Sequence, residues 1–119
     1  MHLKHITLRV RDLEKSIQFY CTMAELEILR RFQAGPAELA FLGGEAGGTE
    51  LELLHIEQGQ VFEGKGMFLC FQTDKLEEMH RVAVENGYQP SDIQDPGDGT
   101  SYFYMYDPDG VSVQLRMFP

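Results

Sequence analysis

A shift of 62 residues carries His5 onto Met67 and Glu52 onto Gln114. The same shift takes Gly48, Leu51 and Leu53 onto Gly110, Val113 and Leu115, and Asp12 onto Asp74, each aspartate opening a helical pattern. A period near half of a 119-residue chain is the signature of internal duplication. Two similar supersecondary units must then share one site, with polar residues recurring at strand positions.

Residues 3 to 10, LKHITLRV, alternate: Ile6, Leu8 and Val10 share one face and His5, Thr7 and Arg9 the other. This predicts a half-buried strand with a polar second face. Asp12 caps a helix whose apolar residues Leu13, Ile17, Tyr20 and Ala24 return at helical spacing. Strand-like runs follow at 27 to 33, 38 to 43 and 49 to 56, separated by Gly-Pro and by GGEAGG. After the polar loop IEQGQVFEGKG the order recurs: a strand at 66 to 72, a helix from Asp74 to about Asn86, and strands near 88 to 94, 100 to 106 and 111 to 117. The expected fold class is α+β, two βαβββ modules at 1–57 and 64–119 forming curved mixed sheets with helices on the convex side.

Parity sorts the faces. Leu51, Leu53 and His55 match Val113, Leu115 and Met117 and belong under the helices, which makes His55 structural. Glu50, Glu52 and Leu54, with Ser112, Gln114 and Arg116, then point to the concave side. A face bearing His5, Thr7, Arg9, Glu50, Glu52 and Gln114 is too polar for a sealed core and lines a groove. Alternatives stand beside this. His5 is a groove residue or an unpartnered strand histidine, the glutamates are groove residues or a solvated face, and Arg9 serves a ligand or pairs with Glu50 or Glu52. Met67, Leu69 and Phe71 share the groove parity of the second module, as an apolar ligand wall or as added core. Tyr102, Tyr104 and Tyr106, alternating with Phe103 and Met105, are packing or a stacking wall. His80 reads as a surface residue of the second helix.

Ten basic against 19 acidic residues give a formal charge of −9, which argues against nucleic acid as a partner. No basic leader followed by an apolar run opens the chain and no stretch nears the ~18 apolar residues of a membrane span, so the expectation is a cytoplasmic protein with no membrane partner. Cys21 and Cys70 lack any metal-site spacing and read as buried reduced thiols.

The opening H-I-T-L-R-V-R-D-L-E-K-S-I-Q-F-Y from His5 to Tyr20, the central T-E-L-E-L-L-H and the D-P-D-G turn at Asp107 to Gly110 leading into V-S-V-Q-L resemble glyoxalase I and its relatives in the vicinal oxygen chelate superfamily. The resemblance spans nearly the whole chain. It implies a divalent metal, usually nickel or zinc, on four side chains, one from the first and one from the last strand of each module. Carried over, the positions are His5, Glu52, Met67 and Gln114. Histidine and glutamate are ordinary ligands, and a Gln carbonyl oxygen is a weak one. Met67, a thioether, replaces the family's second histidine.

The family's isomerase chemistry moves a proton between adjacent carbons of a 2-oxoaldehyde hemithioacetal, with a carboxylate as base. An amide at Gln114 cannot accept that proton, so the role falls to Glu52 as the catalytic residue. Arg9 matches an arginine that holds a thiol's carboxylate in glutathione-dependent members. Ile56, Glu63 and the lysine-free loop P-G-D-G-T-S depart from those members, so glutathione fits poorly. The resemblance therefore implies a glyoxalase I-like lyase/isomerase of the lactoylglutathione lyase type. It would act on a small oxygen-bearing substrate in a dimer groove, with Arg9, Met67, Leu69 and Phe71 as substrate-binding residues. The alternative is a metal-free small-molecule or drug-binding protein of the bleomycin-resistance type. A homodimer is expected in either case, since two-fold pairing covers exposed sheet edges.

Overall fold

A computed structural model describes residues 1–119. They form two compact units, Met1–Phe62 and Glu63–Pro119.

The first unit holds β1 (His5–Arg9), α1 (Leu13–Met23), β2 (Glu27–Ala34), β3 (Ala37–Gly43) and β4 (Glu50–Ile56) in a four-stranded sheet of order β1-β4-β3-β2. β1 runs parallel to β4, and β3 pairs antiparallel with β4 and β2. The Asp12 carboxylate accepts from the Lys15 backbone N–H at 3.1 Å, satisfying one of the free donors at the start of α1. From α1, Leu13, Ile17, Tyr20 and Met23 bury their side chains, as do Leu8, Leu42, Leu51 and Leu53 of the sheet. The face assigned to the helix side by parity is thus the core of this unit.

The second unit comprises β5 (Phe68–Gln72), α2 (Leu76–Glu85), β6 (Ser101–Tyr106) and β7 (Ser112–Met117), with sheet order β5-β7-β6. Its core is Leu76, Met79 and Ala83 with Phe103, Met105, Val113 and Leu115. Two expectations change here. The strand near 88 to 94 is reduced to a single bridge between Gln94 and Tyr102, with Ser91 donating to the Tyr104 carbonyl at 2.8 Å. Pro90 offers no N–H and Gln89 sits at φ +52°, so the segment follows β6 without a regular ladder. Helix α2 begins at Leu76, with Lys75 at its cap position and Thr73 Oγ1 accepting the Lys75 N–H at 3.2 Å, so Asp74 is not the capping residue.

The D-P-D-G turn owes its shape to one carboxylate. Asp107 is buried and its Oδ1 accepts from the backbone N–H of Asp109 and of Val111, both at 2.9 Å. Gly110 turns the chain into β7 at φ +85°, a conformation that costs a side-chain-bearing residue free energy. Against this turn lies Gly64, at φ +72°, where a Cβ would stand 2.5 Å from the Val111 Cα.

The remaining single-residue expectations divide. His55 donates from Nδ1 to the Val10 carbonyl at 3.0 Å, in the structural role expected of it. His80 is half-buried rather than on the surface: its Nε2 lies 2.9 Å from the Ser91 carbonyl and its ring packs edge-on against Phe103. Cys70 is exposed and Cys21 half-buried, because Cys70 stands on the face of β5 that the helix does not cover; both are free thiols. No helix is long and apolar enough to cross a membrane.

Candidate functional site

In the first unit the face opposite α1 gathers the expected residues. Parallel pairing sets His5 beside Glu50, Thr7 beside Glu52 and Arg9 beside Leu54. Residues paired across a ladder share a face, so His5, Thr7, Arg9, Glu50 and Glu52 lie together. Glu52 is 9% exposed. The Thr7 hydroxyl donates to its Oε1, and His5 Nε2 stands 3.8 Å from the same oxygen, with 42% of the imidazole side chain open to solvent. A buried carboxylate needs such a partner, because desolvation without a hydrogen bond is costly.

Phe41, paired with Glu52 on β3, supports this group: the His5 ring meets it edge-on at 5.4 Å and Phe32 stacks on it at 6.4 Å. Arg30 lies 4.5 Å over the Phe41 ring and pairs with Glu50. That ion pair, invisible in the repeat because it joins β2 to β4, answers what Glu50 does. Arg9 pairs with neither glutamate. Its Nε is buried without a hydrogen-bond partner, and its Nη2 lies so close to Gly59 that a Cβ there would stand 2.9 Å away.

The second unit departs from the expected register. In β5, Phe68 stands beside Ser112, Cys70 beside Gln114 and Gln72 beside Arg116. Gln114 does correspond to Glu52, but the counterpart of His5 is Phe68 and not Met67, since His5 pairs with Glu50 as Phe68 pairs with Ser112. Met67 precedes the strand. Leu69 and Phe71 pair with Val113 and Leu115, whose side chains are buried on the helix side, so they leave the groove face to which parity had assigned them. A single period cannot serve both strands: β1 maps onto β5 with a shift of 63, and β4 onto β7 with 62. Loops of duplicated modules change length independently, and one residue of slip exchanges the two faces of a strand.

The face that results is aromatic. Gln114, 3% exposed, donates from Nε2 to the Tyr104 hydroxyl at 3.0 Å. Phe68 and Tyr102 meet the Tyr104 ring edge-on at 5.7 and 5.5 Å. Arg116 lies 4.8 Å over the Tyr102 ring, donates to Thr100 Oγ1 at 2.7 Å and reaches Asp98 at 3.3 Å. These contacts hold Asp98 below its ordinary pKa, the Thr100 hydroxyl first and its backbone N–H next, ahead of the charge of Arg116.

The four-donor metal set does not fit this chain. His5 and Glu52 are competent donors, but Phe68 has no donor atom and Gln114 offers only a weak amide oxygen. No group of three or more His, Cys, Asp or Glu side chains comes together to hold an ion.

Comparison with known proteins agrees with this architecture. Residues 2–115 match the model of the "Glyoxalase/Bleomycin resistance protein/Dioxygenase superfamily". A lactoylglutathione lyase of Neisseria meningitidis is 32% identical over 123 residues, covering 97% of this chain and 89% of the relative. Among solved structures, the trypanothione-dependent glyoxalase I of Leishmania major superposes with a TM-score of 0.82 at 21% identity, covering 97% of this chain and 85% of that one. TnmS3, an antibiotic binding protein from Streptomyces sp. CB03234, gives 0.79 at 20% identity, covering 100% and 97%. With its fold, its duplicated sheets and this match along nearly its whole length, the chain belongs to the glyoxalase/bleomycin resistance protein/dioxygenase superfamily.

Proposed function

We propose that the chain is a glyoxalase I-like lyase/isomerase that moves a proton between adjacent carbons of a small oxygen-bearing substrate, with Glu52 as the base. The observation that carries this is the Glu52 carboxylate. It is buried, fixed at one oxygen by Thr7, and flanked on the same face by His5 and Arg9. Relatives about 30% identical along the whole chain and named as lactoylglutathione lyases support the reaction class.

Each residue has a task in this reading. Glu52 accepts the carbon-bound proton at a carboxylate oxygen and returns it to the neighbouring carbon, so nothing is gained or lost overall. Thr7 fixes the carboxylate's direction. The His5 imidazole, open to solvent beside it, takes the hydroxyl proton from one substrate oxygen and delivers it to the oxygen on the neighbouring carbon. Arg9, with a buried N–H that no protein group accepts, holds an anionic tail. The chain works as a homodimer: β2 is a sheet edge exposed along its length, presenting Ile28, Leu29 and Phe32, and a second copy would cover it.

The test is turnover of hemithioacetals formed from 2-oxoaldehydes and a panel of thiols, comparing the native chain with Glu52→Gln. The substitution is expected to lower kcat at least ~100-fold, the scale of a lost general base, while circular dichroism stays unchanged. Equal turnover removes Glu52 from the mechanism. A second reading, a drug-binding protein of the bleomycin-resistance type, is favoured by the aromatic face of Phe68, Tyr102 and Tyr104, which offers surface to a ligand and no ionisable base. Saturable binding of such compounds with no turnover of any hemithioacetal would select it.

A further inference from the structure

We propose that the open sheet face of the second unit is a hydrogen-bonding site for the acceptor oxygen of a planar, conjugated ligand, a phenolate or enolate type, with Tyr104 as the donor. This goes beyond both readings above and holds whether or not Glu52 performs a reaction.

Gln114 Nε2 donates to the Tyr104 oxygen at 3.0 Å. An amide N–H₂ cannot accept, so the phenolic proton of Tyr104 points away from Gln114 and is free for another acceptor. A hydroxyl that already accepts one hydrogen bond is also a better donor, through mutual polarisation along the chain.

The ring carrying that hydroxyl is held in place. Phe68 meets it edge-on at an interplanar angle of 87° and Tyr102 at 80°. Such aromatic contacts fix the ring plane and hence the direction of the O–H bond. Phe68 is 56% exposed, leaving much of its ring for a flat ligand to stack upon. Arg116, over the Tyr102 ring, brings positive charge to the same face of β7, although Asp98 offsets part of it. An acceptor oxygen with negative character is thus preferred to a neutral one.

The same residues disfavour a cation. At the register where the first unit presents His5 and Glu52, the second presents a hydrocarbon ring and an amide. A metal ion meets at most one amide oxygen there, whereas an oxyanion meets an aligned O–H.

The probe is 4-nitrophenolate, titrated into the full chain with EDTA present at a pH where the probe is ionised. Two signals are read: the blue shift of the bound probe's absorption relative to the same probe bound with no hydrogen-bond donor, and quenching of tyrosine emission, which no tryptophan obscures. Saturable binding unaffected by EDTA is expected. Tyr104→Phe should remove the blue shift and weaken binding at least ~5-fold. Gln114→Leu should shrink the shift with Tyr104 still in place, and Phe68→Ala should weaken binding while keeping the shift. Absence of saturable binding, a requirement for added metal, or an unchanged shift in Tyr104→Phe overturns the proposal. If Tyr104→Phe loses its fold, an unchanged shift in Gln114→Leu overturns it equally. Binding alone is read, so failure of the Glu52 mechanism and failure of this site give different results.

Discussion

Phe68 lies directly opposite Ser112 in the parallel pairing of β5 with β7, one residue beyond the place a constant period assigns to the counterpart of His5. This decides where a metal half-site could be rebuilt. Phe68→His with Gln114→Glu should raise affinity for Zn²⁺ or Ni²⁺ by at least ~10-fold, about 1.4 kcal/mol. Met67→His with Gln114→Glu should gain much less, because residue 67 precedes the strand. Calorimetric titration of the two double variants checks the order, and a greater gain for the residue 67 variant would contradict the register.

The same relationship shows what was legible in the sequence and what was not. Alternation in LKHITLRV and TELELLH assigned the faces of β1 and β4 correctly, since a period of two is local and needs no distant information. The equivalence of Glu52 and Gln114 followed from similar last strands and turns. The first strand of the second module was misplaced because FLCFQ is apolar at every position but the last, so parity has nothing to discriminate there. The Arg30 to Glu50 pair and the Gln114 to Tyr104 hydrogen bond were invisible for another reason. They join strands whose register is set by turns and by tertiary pairing rather than by any local pattern.

Thr7→Val should expose how much the Glu52 carboxylate depends on its neighbour. The substitution keeps the β-branched shape and removes the donor, leaving one oxygen of a largely buried carboxylate without its partner. A loss of about 1.5–3 kcal/mol is expected from urea unfolding, the scale of hydrogen bonds to charged groups. On the proposed function, kcat should fall in the same variant more than KM rises, because the base is misdirected rather than removed. Stability and kinetics equal to those of the native chain would remove Thr7 from its positioning role.

The turn before β7 is a second point of sensitivity. Asp107→Ala strands the N–H groups of Asp109 and Val111, both buried, and each unsatisfied donor costs about 1–3 kcal/mol. A total loss of roughly 2–6 kcal/mol should appear in urea unfolding. Gly64→Ala should cost at least about 1 kcal/mol through its positive φ alone, with more from the clash at the Val111 Cα. Asp107→Asn, which keeps one acceptor oxygen, should recover much of the loss; failure to do so would mean that charge rather than acceptance holds the turn.

His55 gives the fold a pH dependence near neutrality. Its pKa is raised, first by the hydrogen bond to the Val10 carbonyl and next by Glu57, against the opposing effect of burial. The protonated imidazole donates to both, so the folded state favours the charged form. Because the folded pKa lies above the unfolded one, the contribution is fully present below the unfolded value of about 6.5 and fades as pH rises through the folded value. Tm should therefore decline from this source as pH is raised from about 6 towards 8. His55→Asn can still donate to the Val10 carbonyl but cannot titrate, so its Tm profile should be flatter over that interval. Parallel profiles for the two proteins would show that His55 is not the group responsible.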